Sequence, residues 1–182
     1  MTHSGVALID PHPIYEKIDL SAGKRVADLG CGRTGHFIFS SSRVVGDTGI
    51  VYAVDIIKEI LEGIEARKKA EGFDNIQTIW SDIEKYGKIP IPEKSLDVVF
   101  FVNVLFLLVN KSEAFKEAAR LLKEGGFLVV VDWIKKIGPL GPDEKLLVPE
   151  EKIAELGNNI GLKLVDKTMA NGYHYVVIFK KE

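Results

Sequence analysis

Short, nearly unbroken apolar runs recur along the chain and alternate with stretches in which apolar and charged positions repeat at helical spacing. The runs at 26–29, 50–54, 76–80 and 97–102 predict strands, most of them buried on both faces, because a strand with one wet face would alternate apolar and polar positions. After the second run, Ile56, Ile57, Ile60, Leu61 and Ile64 recur at helical spacing with Lys58, Glu59 and Glu62 on the other side, the pattern of a surface helix. Ser112 reads as the N-cap of a second helix, whose apolar stripe is Phe115, Ala118, Leu121 and Leu122 and whose left-handed C-terminal position falls to Gly125. A third helix begins near Pro149, Glu150 and Glu151 and stops at Gly161. Strands that alternate with helices predict a mostly parallel sheet covered on both faces. The end of the chain differs in kind: 162–169 and 173–180 are β-rich and meet near Asn171 and Gly172, the strongest hairpin signal in the sequence, so the last strand is expected to run antiparallel.

The first strand runs straight into a glycine loop: Asp28 and Leu29 are followed by Gly30, Cys31, Gly32, Arg33, Thr34 and Gly35. Glycines let the backbone turn sharply and bring its N–H groups against a ligand. Asp55, at the tip of the next strand, is placed to take both hydroxyls of a ribose. Together they point to an adenosine-containing cofactor. The glycines satisfy the dinucleotide pattern G-x-G-x-x-G, so a nicotinamide cofactor is an open alternative. Two features oppose it. His36, Phe37, Ile38 and Phe39 are bulky where close packing beside a pyrophosphate favours small residues, and Asp28 would repel a pyrophosphate but attract an ammonium group.

With that acid, the segment resembles motif I of the class I S-adenosylmethionine-dependent methyltransferases, and the resemblance covers about 25–133 in the family's order. It implies a Rossmann-like, three-layer α/β sandwich around a seven-stranded, mostly parallel sheet with an antiparallel C-terminal hairpin strand. It implies S-adenosyl-L-methionine as cofactor, its methionine end held by Asp28, Gly30, Cys31, Gly32 and Gly35. Asp55, followed by Ile56, matches the ribose-binding acid. Asp82 and Ile83 match the stretch that reads the adenine edge, and the fourth strand would present substrate-facing residues at its end, Asn103. In one departure, the third glycine is Gly35, one place later than the commonest spacing, which bears on the loop's contacts to the methionine carboxylate.

Length and composition fit one compact domain over 1–182: an N-terminal cap segment at 1–24, a cofactor-binding core at 25–133, and a loop, helix and β-hairpin at 134–182. The formal net charge is -2, and the basic clusters at 67–69 and 135–136 read as solvated faces, which disfavours a nucleic-acid partner. No apolar run approaches the roughly 20 residues that span a bilayer, and no basic leader region precedes the first apolar stretch, so a cytoplasmic protein without a membrane partner is expected. Cys31 is the single cysteine, which excludes disulfides within the chain and disfavours a thiol-rich arsenic-type enzyme. The four histidines are too scattered to propose a metal site.

The chemistry implied is in-line displacement of a methyl group from a sulfonium, which needs placement more than a conspicuous catalytic residue. A fifth strand follows the turn at Gly125 and Gly126, and for a hydroxyl or amine acceptor Asp132 at its end is the leading candidate base, followed by His36 and His174. Asn103 is a candidate hydrogen-bonding partner of the acceptor, with Phe106 an apolar wall. The segment 10–15 is expected to fold over the cofactor and bring His12 or Tyr15 to the substrate, and the loop at 137–142 is a candidate lid. The favoured function is methylation of a small-molecule acceptor. The alternatives are an RNA or protein methyltransferase acting with a partner, and a non-catalytic S-adenosylmethionine-binding module.

Overall fold

The computed structural model describes residues 8–182. In chain order the elements are α1 (His12–Lys17), β1 (Arg25–Leu29), α2 (His36–Val45), β2 (Ile50–Asp55), α3 (Lys58–Glu71), β3 (Ile76–Trp80), β4 (Leu96–Val102), α4 (Lys111–Leu121), β5 (Leu122–Trp133), α5 (Glu150–Asn159), β6 (Leu162–Asn171) and β7 (His174–Lys181). The strands form one seven-stranded sheet in the order β3-β2-β1-β4-β5-β7-β6. All neighbours pair parallel until β7, which lies antiparallel between β5 and β6. The expected α/β sandwich with an antiparallel C-terminal hairpin strand is the observed architecture.

Alternate residues of each central strand enter opposite layers. Val26, Val98 and Phe100 pack with Phe37, Phe39 and Ile64 beneath α1, α2 and α3. Ala27, Val99 and Phe101 pack with Phe115 and Ile153 beneath α4 and α5. Every residue of β4 is buried, which is why that strand, Asp97 apart, reads as a continuous apolar run. The chain order reverses between β1 and β4, so the crevice beyond their C-terminal ends is the topological switch point, where open α/β sheets hold ligands. Among the described residues no helix is long and apolar enough to cross a membrane.

Several local expectations change. The N-cap of α4 is Asn110, not Ser112: the Asn110 side chain and carbonyl both accept from the Glu113 N–H, two residues ahead of the serine. Asparagine's short amide reaches the first-turn donors as well as serine does, so sequence alone did not separate them. Gly125 is left-handed, at φ 78°, but it does not cap α4. The helix already gives way to extended backbone at Leu122, and Gly125 serves the irregular stretch between the Leu96–Leu122 and Val98–Phe127 pairs. Ile56 and Ile57 precede α3 instead of joining its buried stripe, and they are 57% and 48% exposed. The loop at 87–92 is pinned to α4. Buried Glu117 accepts from the Gly87 and Ile89 N–H groups (2.7 and 3.1 Å) and pairs with Arg120, which donates to the Ile89 carbonyl.

Candidate active site

The glycine loop leaves β1 at the switch point and folds back on β2: the Gly30 and Cys31 N–H groups donate to the Val54 carbonyl (2.8 and 3.1 Å). Its three glycines have different surroundings. Gly30 has φ 83°, and a Cβ there would lie 2.4 Å from Val104 Cγ2, so it lets the loop sit against the end of β4. Gly35, at φ 54°, is the N-cap of α2, and a Cβ there would meet Ile64 and Phe39 in the core. Gly32, at φ 64°, has open space where its Cβ would be. One glycine of the three is thus free of packing constraint on that side, and the shifted third glycine serves helix packing.

Two carboxylates lie behind this loop, both buried. Asp55 closes β2 and accepts from Gly32 N–H (3.1 Å) on one oxygen and from Ile57 N–H (3.0 Å) on the other. It thereby ties the glycine loop to the start of α3, and each oxygen keeps a second lone pair. Asp28 Oδ1 meets no hydrogen-bond partner among the described residues. Burial, reinforced by the charge of Asp55, pushes the Asp28 carboxyl up to about 8 from its ordinary 3.8. A buried carboxyl with an unmet oxygen is expensive unless a ligand completes it, and a cation is the ligand that restores its charge. Burial also raises the Cys31 thiol, which is therefore a packed thiol and not a reactive one.

Beyond β3, Ser81 N–H donates to the Asp55 carbonyl, which fixes the spacing of the two strand ends. Ile83 is buried, while Asp82 accepts from Glu84 N–H (3.0 Å) and pairs with Lys85. Trp80, 59% exposed, donates its indole N–H to the Ile56 carbonyl and lies beneath the Lys58 ammonium. The structure therefore brings Asp28, Gly30, Cys31, Gly32, Asp55, Ile56, Asp82 and Ile83 to one edge of the sheet, with Gly35 turned to the core.

At the ends of β4 and β5 the geometry changes the expected roles. Asp132 is buried, and its oxygens accept from Leu105 N–H (3.1 Å) and Trp133 N–H (2.8 Å). Burial raises its carboxyl to about 7. Those bonds hold the 3-10 turn Leu105–Leu107 that follows β4, and they favour a capping role over that of a general base. Asn103 is buried with φ 51°, a left-handed conformation that asparagine tolerates and that gathers at functional sites. His174, fully buried, lies against the Trp133 indole (ring centroids 4.1 Å apart) and contacts Asn103 and Asn171 through its two ring nitrogens. Burial lowers its pKa to about 4. His36 Nε2 is held by the Ile9 carbonyl (2.8 Å). Neither histidine stands open as a base.

Tyr15 is part of the core rather than a substrate contact: its hydroxyl meets Ser41 Oγ at 3.0 Å, its ring packs against Phe37 and Phe100, and burial raises it to about 12. His12 is exposed, and its ring meets that of Tyr15 edge-to-face, with centroids 5.9 Å apart. The turn at 137–142 is closed on itself by paired backbone bonds between Ile137 and Leu140, and Gly141 lies close to the Trp133 indole. A cavity of about 470 Å³ lies between 8–12 and α2, with His36, Arg43 and Arg67 on its wall, and Arg67 donates to the Thr34 carbonyl of the glycine loop (3.0 Å). What sequence reasoning missed is the joining of Asn103, His174 and Asn171; the hairpin signal located Asn171 but carried no sign of its side-chain partners.

Residues 20–159 match the family described as "Methyltransferase domain". The ubiquinone/menaquinone biosynthesis C-methyltransferase UbiE of Pseudomonas putida is 35% identical over 135 residues, which are 71% of this chain and 51% of that protein. The aklanonic acid methyltransferase DauC of Streptomyces sp. strain C5 is 31% identical over 147 residues, 76% of this chain and 64% of that one. The chain thus spans about half to two thirds of the length of these relatives. A crystal structure of a SAM-dependent methyltransferase from Aquifex aeolicus superposes with a TM-score of 0.86 at 24% identity, covering 97% of this chain and 92% of the other, which shows the common fold.

Proposed function

The chain belongs to the methyltransferase-domain family, of the class I S-adenosylmethionine-dependent kind, and from that premise we propose that it transfers the methyl group of S-adenosylmethionine to a small-molecule acceptor. The observation that carries the reading is the unmet oxygen of buried Asp28 behind an open glycine, Gly32, and beside Asp55. The residues fit the group. An α-ammonium would restore the charge that burial suppresses on Asp28, the second lone pairs of Asp55 would accept from the ribose hydroxyls, and Ile56, Asp82 and Ile83 would hold the adenine. When bound, S-adenosylmethionine supplies a sulfonium-activated methyl group, whose transfer is limited mainly by alignment with the acceptor. The chain's part is to orient and to keep water out. Val104 against Gly30 fixes the floor of the crevice, and Asp132 fixes the turn after β4.

A small acceptor is favoured because one named relative is an aklanonic acid methyltransferase, the other serves ubiquinone/menaquinone biosynthesis, and the chain carries a formal net charge of only -2. In this reading 25–133 hold the cofactor, 1–24 form a cap and 134–182 complete the acceptor side, within one domain acting in the cytoplasm. Calorimetric titration with S-adenosylmethionine, S-adenosylhomocysteine and NAD, each alone, tests it. Saturable binding of the first two and not of NAD is expected. Binding of NAD alone would sink the proposal and restore the dinucleotide reading of the glycine loop.

A further inference from the structure

Ile56 stands 57% exposed at the end of β2, outside the buried stripe of α3. A side chain so placed offers a ligand a firm surface only if the backbone beneath it is already fixed, because ordering a turn on binding costs affinity. The turn is fastened on both sides of Ile56. The Asp55 carbonyl accepts from Ser81 N–H (3.1 Å), the Asp55 carboxylate accepts from Gly32 and Ile57 N–H, and the Ile57 carbonyl accepts from Ile60 N–H (3.1 Å). At Ile56 itself the fastening comes from a side chain of the edge strand: Trp80 donates its indole N–H to the Ile56 carbonyl at 2.8 Å. Trp80 is the last residue of β3 and pairs in register with Asp55, so it starts beside the strand end whose next residue it holds. From the other side Lys58, the first residue of α3, sets its ammonium 4.6 Å from the centre of the indole ring, a cation–π contact that holds the ring in place. Trp80 remains 59% exposed, so it gives little to the core; its defined contacts are a hydrogen bond and a cation, and both join it to the turn between Asp55 and α3.

Resting on the methyl-transfer reading above, in which Ile56 helps to hold the adenine, we propose that Trp80 is a positioning residue for the cofactor: its indole N–H fixes the Ile56 carbonyl, and with it the side chain that lies against the base. The wall is then formed before the cofactor arrives, and binding does not have to order it. Trp80 acts through Ile56 and not by touching the base. Asp55 keeps its own bonds to Gly32 and Ile57, so the ribose contacts do not depend on the indole.

The test is a double-mutant cycle on the full chain, read by calorimetric titration with S-adenosylhomocysteine: wild type, W80F, I56A and the double variant. Phenylalanine keeps an aromatic ring for Lys58 but has no N–H, while I56A keeps the carbonyl that Trp80 holds and loses the wall. W80F should weaken binding by about three- to tenfold, the loss of one hydrogen bond. I56A should weaken it by about tenfold through lost apolar contact. Introduced into I56A, W80F should change the affinity by less than about twofold, since the wall it positions is gone. A merely structural Trp80 would weaken wild type and I56A by the same factor, and that result, or a W80F protein that binds as wild type does, overturns the proposal. A second variant guards against a fold lost in W80F. Trp80 and Trp133 are the two tryptophans, and the Trp133 indole N–H has no hydrogen-bond partner among the described residues, so replacing both by benzothienylalanine, with sulfur in place of the N–H, removes a bond at Trp80 alone. This protein should reproduce the W80F loss, and unchanged affinity would overturn the proposal equally. Failure of wild type to bind S-adenosylhomocysteine would remove the methyl-transfer reading and this proposal with it, whereas binding without the coupling removes this proposal alone.

Discussion

Asp28→Asn should stabilise the ligand-free protein at alkaline pH while abolishing tight cofactor binding. In the folded chain burial holds this carboxyl at about 8, against 3.8 ordinarily. Below pH 4 both folded and unfolded chains carry it protonated, and it costs nothing. As pH rises from 4 to 8 the unfolded chain releases the proton while the folded one keeps it, so stability falls across that window and levels off above 8. At about 1.4 kcal/mol per pH unit, the interval sets an upper bound of about 6 kcal/mol. An asparagine amide removes the charge but brings its own unmet polar atoms, a penalty of about 1–3 kcal/mol. A net gain of about 2 kcal/mol or more at pH 8.5 should remain, which for a chain of this length raises Tm by about 4 °C or more. Thermal unfolding of both proteins at pH 5 and pH 8.5 measures it, with the advantage of the variant shrinking at the lower pH. Calorimetry of the wild type at pH 7 in two buffers of different ionisation enthalpy should also show close to one proton released per S-adenosylmethionine, because the ammonium recruits the carboxylate. An Asp28→Asn protein no more stable than wild type at pH 8.5, or wild-type binding without proton release, would refute the reasoning.

Asp55→Ala removes the shared acceptor of the Gly32 and Ile57 N–H groups as well as the ribose contacts, and it should weaken S-adenosylmethionine by about 1.5–3 kcal/mol per charged bond lost, read by calorimetry. Asp132→Asn cannot accept from both Leu105 and Trp133 N–H with the same geometry, so it should lower stability by about 1–3 kcal/mol in chemical denaturation while cofactor affinity changes little; unchanged stability would remove its capping role. Gly30→Ala forces a Cβ to within 2.4 Å of Val104 and should fail to fold or unfold early, with Val104→Ala restoring part of the loss. Gly32→Ala meets no neighbour, so it should keep the fold at a cost of about 1 kcal/mol for its left-handed backbone and lose cofactor affinity instead.

The sheet was legible because its strands are so completely buried. In β4 every residue is buried, and a short apolar run of that kind, between turn residues, is what a parallel strand covered on both faces produces. The hairpin at Asn171 and the loop after Asp28 were legible for a related reason, since each needs residue types that few other contexts need. What stayed hidden was the choice between near-equivalent residues. Asn110 and Ser112 both cap helices, and the structure decides by where Glu113 N–H falls. Ile56 and Ile60 read alike in a helical stripe, yet one precedes α3 and the other is inside it. The links between Leu8, Asn171, His174 and Asn103 join residues far apart in sequence, and no spacing rule encodes them.

Asp28 and Asp132 make the sharpest contrast at the switch point. Both carboxyls are buried at or near the end of a parallel strand, and both are pushed upward by that burial. Burial alone therefore does not tell a ligand-facing acid from a structural one. Asp132 has each oxygen on a backbone N–H of its own neighbourhood, so the fold itself compensates the desolvation. Asp28 has an oxygen with no partner among the described residues, and the nearby carboxylate of Asp55 makes ionisation harder. A fold that only needed to be stable would gain by replacing Asp28 with an apolar residue, and keeping the acid is worthwhile only if a cation arrives to complete it. The same accounting makes Asp55 intermediate, already bonded twice yet with lone pairs to spare, as befits a residue that holds the loop before the ligand comes and shares itself with the ligand afterwards.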